Sequence, residues 1–349
     1  MFKHLYIHIP FCNSICTFCD FVRFEKCGEK VKEKYVEYLL SEIKKIPKGK
    51  LDSIYLGGGT PNSLPLKMME KLLESLQRLI NKDTEFTIEL NPELLTQAQC
   101  DLFIKYQINR ISLGAQIMND KVLKIYHRAH DTKKIKSAVN LLEKNNFQNI
   151  SLDFIYGFNE MGEKDLKKEI NYITNCKAIK HVSFYSLEVK ENSIIAKQNY
   201  ELNEQKVEDE FAFIIDELKK NKWKRYEVSS WTKNKKFVSK HNIGYWNTEE
   251  WRGIGIGAFG YESKTYYHYE GKLDNISKIE EKMNDYDFYF QIISMGLRLV
   301  EGINLSIPQN QKAYEYFKQK IGSNVVITKN NFLKAKNINL LNEILIELL

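Results

Sequence analysis

The sequence predicts an α/β fold in which six strand–helix units form a partial barrel, followed by a smaller, mostly helical C-terminal domain. Over the first two thirds of the 349 residues, short β-branched runs alternate with amphipathic stretches of helical spacing. This alternation is typical of parallel strands joined by crossover helices, and right-handed crossovers would curl six units into a partial barrel. After about residue 270 the alternation stops and helical spacing dominates.

Each predicted strand is a short run that one amphipathic stretch follows. The strands are expected at residues 4–9, 53–56, 85–90, 110–115, 149–156 and 181–187. The helices between them are expected near residues 31–47, 66–80, 96–106, 131–145, 162–175 and 204–221. In the C-terminal part, a long helix over 278–298 precedes helical stretches near 309–321 and 338–349. We therefore divide the chain into a barrel (1–230), a connecting segment (231–270) and a C-terminal domain (271–349).

The composition predicts a cytoplasmic protein. Hydrophobic residues make up 43% of the chain, but no apolar run is long enough to span a membrane. No charged-then-apolar signal segment precedes the cysteines near the N-terminus, which favours a reducing compartment. The net charge of +7 comes from dispersed lysines, without aromatic residues interleaved in a long basic stripe. We therefore expect no nucleic-acid partner.

Three cysteines, Cys12, Cys16 and Cys19, lie within eight residues. Their spacing suits an iron–sulfur cluster held by three thiolates, with one iron left open to another ligand. A zinc site or a redox pair of Cys16 and Cys19 are the alternatives. Zinc would need a fourth ligand, whereas Cys27 is eight residues away, and a redox pair would not explain Cys12. The CxxxCxxC motif resembles the signature of the radical S-adenosylmethionine (SAM) family, which implies a [4Fe–4S] cluster with SAM at the open iron.

A glycine run, Gly57 to Gly59, follows the second predicted strand and continues into Thr60 and Pro61. Such a run cannot form a regular strand or helix, and it would let backbone groups approach a ligand, although a plain tight turn would use the same residues. GGGTP resembles the glycine motif of the coproporphyrinogen-oxidase-like branch of the radical SAM family. The resemblance implies that Gly58, Gly59 and Thr60 contact SAM.

Four polar residues stand at or near the ends of later units, where the functional groups of (β/α) barrels meet: Glu89, Gln116, Arg128 and Asp153. Carboxylates can accept the ribose hydroxyls of SAM or pair with its ammonium group, while an amide and a guanidinium can hold the sugar and the carboxylate. Each residue alone would equally suit a helix cap or a salt bridge. The resemblance implies that together they bind SAM and that the ring of Tyr6 covers the cluster.

The segment KHNIGYW contains His241, Tyr245 and Trp246. Imidazole is a common heme ligand, and flat aromatic rings, including that of Trp251, can stack on a porphyrin. The same residues could instead form a structural loop in which the histidine caps a turn. The segment resembles the HNxxYW motif of the HemW family of heme chaperones. The resemblance implies that His241, Tyr245 and Trp246 bind heme.

The resemblance covers nearly the whole chain and also includes oxygen-independent coproporphyrinogen III oxidase, an enzyme of porphyrin biosynthesis. That oxidase carries a CxC motif after the third cluster cysteine and an N-terminal arm. This chain has Asp20 and Phe21 after Cys19, and its first cluster cysteine is already residue 12. Both departures favour a heme chaperone that passes heme to a hemoprotein acceptor.

The remaining alternatives concern activity and partners. The first alternative is the oxidase itself, and the second is an RNA-modifying radical SAM enzyme, for which no RNA-binding domain is visible. The sequence leaves open whether SAM is cleaved or only bound, whether the acceptor is respiratory and membrane-associated, and whether the chain forms a homodimer.

Overall fold

The computed structural model describes residues 2–349, which form seventeen strands and twelve α-helices. The strands are β1 (His4–Ile9), β2 (Phe11–Cys12), β3 (Phe24–Glu25), β4 (Ser53–Gly58), β5 (Glu85–Leu90), β6 (Arg110–Gln116), β7 (Ile150–Tyr156), β8 (Ile179–Ser186), β9 (Lys224–Arg225), β10 (Ser230–Thr232), β11 (Trp251–Ile254), β12 (Phe259–Glu262), β13 (Thr265–Lys272), β14 (Asn275–Lys282), β15 (Ile303–Asn304), β16 (Val325–Ile327) and β17 (Phe332–Ala335). The helices are α1 (Glu29–Lys45), α2 (Leu66–Leu76), α3 (Gln97–Lys105), α4 (Asp120–Ile125), α5 (Thr132–Lys144), α6 (Glu163–Asn175), α7 (Ile194–Lys197), α8 (Glu204–Lys220), α9 (Lys240–Trp246), α10 (Asp285–Gly296), α11 (Pro308–Phe317) and α12 (Leu341–Ile346).

Twelve of these strands form one sheet in the order β14-β13-β12-β11-β1-β4-β5-β6-β7-β8-β10-β9. Strands β1 and β4 to β8 are parallel to one another, with helices in the connections, and β8 pairs antiparallel with β10. On the other side of β1, the sheet continues through the parallel strand β11 into an antiparallel meander of β12, β13 and β14. The edge strands β14 and β9 do not pair with each other, so the barrel stays open, as the six predicted units require.

Alternate residues of the parallel strands face different surroundings, because successive side chains of a strand point to opposite faces. In β5, Phe86 and Ile88 are buried in the hydrophobic core that the helices cover. Their neighbours Glu85 and Glu89 hydrogen-bond instead to groups inside the barrel. The same alternation in β1 and β6 gives the barrel an apolar outer layer and a polar interior.

The helices follow ordinary sequence signals closely. In α1, Tyr35, Val36, Leu39 and Ile43 recur at helical spacing and are buried against the sheet. Helix α3 begins with a capping box in which Thr96 accepts a hydrogen bond from the Gln99 backbone. No helix of the described residues is long and apolar enough to cross a membrane.

The prediction of one helix over residues 278–298 is wrong in its first part. Residues up to Lys282 belong to β14, and α10 begins at Asp285. Strands β13 and β14 pair along their full length around a two-residue turn, with Gly271 at φ +113° beside it. The hairpin turn, rather than the spacing of apolar residues, decides the structure here. The rest of the C-terminal part combines α10, α11 and α12 with a three-stranded sheet, β15-β17-β16, around a second hydrophobic core.

Candidate active site at the carboxyl ends of the strands

A cavity of about 490 Å³ lies at the carboxyl ends of the parallel strands. Its wall includes residues from the loops after β1 and β4 and from the ends of β5 to β8. The structure therefore brings together most of the side chains that the sequence singled out: Cys12, Cys16, Cys19, Gly58, Gly59, Thr60, Glu89, Gln116, Arg128 and Asp153. These residues come from distant parts of the chain and meet because parallel strands end at one edge of the sheet.

The three cysteines are held by the short pairing of β2 with β3, which closes the loop that carries Cys16 and Cys19. All three are free thiols. Burial raises the pKa of the Cys12 thiol, and it raises the pKa of Cys19 to about 11. Iron must displace the thiol protons, because the thiolate is the metal ligand. Three partly buried thiols on the wall of one cavity are a donor set that fits a cluster with one open iron.

Hydrogen-bond donors already point at two of these sulfur atoms. Arg128 Nη1 lies 3.0 Å from the Sγ of Cys16, and Thr60 Oγ1 lies 3.5 Å from the Sγ of Cys12. Arg128 Nη2 donates to Asn91 Oδ1 at 3.0 Å and to the carbonyl oxygen of Gly114 at 3.1 Å. The guanidinium is thus fixed between the cysteine loop and the ends of two strands. A donor fixed in this way can hydrogen-bond a sulfur atom that serves as a metal ligand and so orient it.

Glu89 stands at the end of β5 and has two donors. Its Oε1 accepts a hydrogen bond from Tyr55 Oη at 2.7 Å, and its Oε2 accepts one from the Gly58 backbone amide at 3.0 Å. Burial raises the pKa of Glu89 to about 7, although both hydrogen bonds favour the ionised form. The carboxylate is therefore poised to change charge near neutral pH when a cation or a hydroxyl donor enters the cavity.

Gln116 and Asp153 complete the polar wall. The register shifts between Gly114 and Gln116, and Gln116 adopts a φ of +62°. A Cβ at Gly114 would lie 2.8 Å from the Gln116 amide nitrogen, so the glycine makes room for that side chain. Asp153 Oδ2 accepts a hydrogen bond from Ser112 Oγ at 2.6 Å. Burial raises the pKa of Asp153 despite this bond.

The glycine run differs in one respect from the prediction. Gly57 and Gly58 belong to β4, where they pair with His8 and Ile9, rather than to a loop. A Cβ at Gly58 would lie 2.6 Å from the imidazole of His8, and the φ of Gly58 is +110°. Glycine is needed here for the close approach of two strands, and it leaves the Gly58 amide free to bond Glu89.

Sequence reasoning missed three supporting residues, Tyr55, Asn91 and Ser112, which hold Glu89, Arg128 and Asp153. The sequence nevertheless contains a pattern that could have identified these three residues. Tyr55 and Ser112 occupy alternate strand positions within apolar runs, and Asn91 follows Glu89 at the end of β5. Polar residues at such positions face the barrel interior.

Comparison with known proteins identifies the family. The Radical SAM superfamily model matches residues 6–173. The heme chaperone HemW of Lactococcus lactis is 34% identical over 290 residues, which cover 80% of this chain and 76% of that protein. HemW of Bacillus subtilis is 32% identical over 271 residues, which cover 74% of this chain and 71% of that protein. The chain belongs to the HemW family of radical SAM proteins.

A more distant HemW, from Buchnera aphidicola of Acyrthosiphon pisum, is 29% identical over 96% of this chain and 86% of its own length. Among solved structures, coproporphyrinogen III oxidase (HemN) of Escherichia coli superimposes with a TM-score of 0.84. The match covers 99% of this chain and 90% of the oxidase at 17% identity. At that identity the likeness shows a common fold. Membership of the radical SAM family implies a [4Fe–4S] cluster and SAM, and the thiols and polar groups of the cavity fit both.

Tyr6 is placed differently in this HemW-family chain than the resemblance implied. Its ring is not part of the cavity wall but lies inside the barrel beside Tyr55, with ring centroids 6.0 Å apart. Its hydroxyl forms a hydrogen bond with His8 Nδ1 at 3.0 Å. Tyr6 therefore lies next to a residue of the wall, and in this arrangement its ring does not cover the cysteine loop.

His241 lies at the opposite end of the barrel from the cavity, among the first residues of the strands. Its Nδ1 is 2.6 Å from Ser53 Oγ, and its Nε2 is 2.7 Å from Tyr245 Oη. His241 is buried, and both ring nitrogens have partners. The guanidinium of Arg298 lies over the ring of Trp246, with its Cζ atom 5.3 Å from the ring centroid. This geometry argues for a structural role of the HNxxYW segment and against His241 as an iron ligand in this conformation.

Proposed function

We propose that this HemW-family protein is a cytoplasmic heme chaperone that binds heme and transfers it to a hemoprotein acceptor. The observation that carries the proposal is the match to proteins named heme chaperone over most of both chains, at 34% identity for the Lactococcus lactis protein. The cavity adds the radical SAM part of the proposal, because its ten predicted residues converge at one end of the barrel.

In this proposal Cys12, Cys16 and Cys19 would hold the cluster, and the polar wall of the same cavity would hold SAM. When bound, a cluster reduced by an external electron donor would supply the electron for reductive cleavage of SAM. Glu89 and Asp153 accept hydrogen bonds from the hydroxyl and ammonium groups of SAM. Gln116 and Arg128 hold its sugar and carboxylate, while Gly58, Gly59 and Thr60 line the strand edge beside it.

The oxidase is the second candidate, and the common fold with HemN favours it. One feature of this chain weighs against it. Phe21 stands where the oxidase motif has an additional cysteine, and its side chain is 62% exposed at the rim of the cavity. An exposed phenyl ring cannot replace a thiolate in chemistry or in metal binding.

One anaerobic preparation distinguishes the two functions. The cluster is reconstituted, SAM is added, and the same protein is assayed for heme binding, for heme transfer to an apo-hemoprotein, and for decarboxylation of coproporphyrinogen III. We expect heme binding and transfer without decarboxylation. Robust decarboxylation would establish the oxidase instead, and failure to bind heme would exclude the chaperone.

The acceptor and the assembly are part of the same proposal. We expect a hemoprotein acceptor of the respiratory chain, associated with a membrane, and a homodimer as the assembled state. Transfer to membrane vesicles carrying heme-depleted cytochromes, and the mass of the protein in solution, test these two expectations separately.

A further inference from the structure

Accessible histidine nitrogens are scarce in this structure. Five of the seven histidines are buried, and each has hydrogen-bond partners at both ring nitrogens: His4, His8, His130, His181 and His241. The other two, His127 and His268, are at least partly exposed. An imidazole that binds the iron of an incoming heme needs a free nitrogen at the surface, so these two are the candidates in this conformation.

His268 stands in an apolar setting on the meander. It lies on β13 directly between Phe259 of β12 and Ile279 of β14 in the strand register. Its ring stacks on that of Phe259, with centroids 5.3 Å apart and planes inclined by 28°. Phe259 is 59% exposed and Ile279 is 44% exposed. Directly opposed residues of antiparallel strands share one face, so the three side chains form a row on the open surface of the sheet.

The loop that carries the cysteines lies against the same part of the surface. The position that a Cβ would take at Gly257, two residues before Phe259, is 2.7 Å from the Cβ of Val22. Val22 and its neighbour Phe21 are themselves exposed. We use the name apolar strip for the five residues Phe21, Val22, Phe259, His268 and Ile279. Large exposed apolar side chains that cluster in this way mark binding surfaces more often than scattered ones do.

We propose that heme docks on the apolar strip with His268 as its axial ligand, an inference that rests on the proposed heme chaperone function. The chemistry of the strip matches this ligand. Heme is a flat, largely apolar molecule whose iron takes a neutral imidazole nitrogen. Phe259, nearly parallel to the imidazole, would present its edge to the porphyrin face, which is a favourable aromatic geometry. Ile279 would pack against the same face on the other side of the ligand.

The carboxylate of Glu270 faces the His268 imidazole, with an oxygen 3.5 Å from Nε2. It is well exposed, so it can follow the ring as the ring turns. A carboxylate that holds one ring nitrogen fixes the tautomer and leaves the lone pair of the other nitrogen free for iron. Glu270 lies close enough to take this positioning role once the contact shortens to hydrogen-bond distance.

The strip also places the docked heme beside the SAM cavity. Phe21 lines the cavity and belongs to the strip, and the carbonyl oxygen of Val22 is 2.8 Å from His8 Nε2 of β1. A change of the cysteine loop on SAM binding would thus reach the heme surface through two adjacent residues. This contact offers a physical route by which the cavity could control heme release.

The experiment titrates heme into cluster-reconstituted full-length protein under anaerobic conditions and records the Soret band. Four proteins are compared: the wild type, His268→Ala, Phe259→Ser and, as the matched control, His127→Ala. We expect His268→Ala to shift the band and to weaken binding at least tenfold, and added imidazole to restore the wild-type band. Phe259→Ser should weaken binding while the band position stays unchanged, and His127→Ala should behave as the wild type.

The outcomes separate the docking site from the function. A wild-type band in His268→Ala, or loss of the band in His127→Ala, would overturn the assignment of the ligand while heme binding itself stands. Absence of heme binding by the wild type would overturn the chaperone function together with the site. Circular dichroism and iron content check that each surface variant is folded and retains its cluster.

Discussion

Replacing Glu89 by glutamine tests the electrostatics of the cavity. Burial raises the pKa of Glu89 to about 7 from its ordinary value of 4.5. At roughly 1.4 kcal/mol for each pH unit, this difference corresponds to about 3 kcal/mol. Below pH 4.5 the carboxyl is protonated in both the folded and the unfolded chain. As pH rises to about 7 the unfolded chain loses the proton first, so ionisation of Glu89 makes the folded wild type less stable.

Glutamine cannot ionise, and it has the shape of the protonated carboxyl group. Its carbonyl oxygen can accept a hydrogen bond from the Gly58 amide, while its NH2 group donates one to the hydroxyl of Tyr55. We therefore expect Glu89→Gln to match the stability of the wild type at pH 4.5. It should become more stable than the wild type by up to about 3 kcal/mol at pH 8, where the wild-type carboxyl is ionised.

Urea unfolding of the metal-free proteins between pH 4.5 and 8 measures this difference. Glu70→Gln is the control, because Glu70 is exposed and the hydrogen bond from Lys105 lowers its pKa. The control should show no gain relative to the wild type as pH rises. SAM affinity of the wild type should also fall roughly tenfold for each pH unit below 7 if SAM selects the carboxylate. A stability difference between wild type and Glu89→Gln that does not change with pH would refute the reasoning.

Three further predictions concern single residues. Cys16→Ser should lose the cluster iron, whereas Cys27→Ser should retain it, as measured by iron analysis after reconstitution. Loss of iron from Cys27→Ser would contradict a site of three thiolates. Arg128→Lys should make the cluster harder to reduce, because a lysine cannot donate to Cys16 and also keep the bonds of the guanidinium to Asn91 and Gly114. An anaerobic redox titration measures the midpoint potential of the cluster. An unchanged midpoint potential would show that Arg128 does not tune the cluster. His241→Ala should lower the free energy of unfolding by about 1–3 kcal/mol, since the Tyr245 hydroxyl loses its partner while Ser53 keeps His4, and should leave the heme spectrum unchanged. A shifted heme band with intact stability would instead make His241 the ligand.

Many residues of the cavity could be predicted from the sequence, because the motifs that mark them are short and continuous in the chain. The cysteine spacing and the placement of Glu89 or Asp153 near strand ends are readable in one dimension, because a parallel sheet brings all strand ends to one edge. Gly58 shows the limit of such reading. Its glycine motif is visible, but the contact that requires glycine is with His8, fifty residues earlier, and only the pairing of β1 with β4 creates it.

The HNxxYW segment and the meander show most clearly which properties can be predicted from the sequence and which depend on the tertiary structure. A histidine followed by two aromatic residues has the chemistry of a heme site, yet availability of its nitrogens depends on distant partners. Ser53 is 188 residues away in sequence and takes one nitrogen of His241. Conversely, nothing around His268 in the sequence distinguishes it, and only the register of three strands places it between Phe259 and Ile279. Spacing along the chain determines which groups can react, whereas packing between distant segments decides which of them stay free to do so.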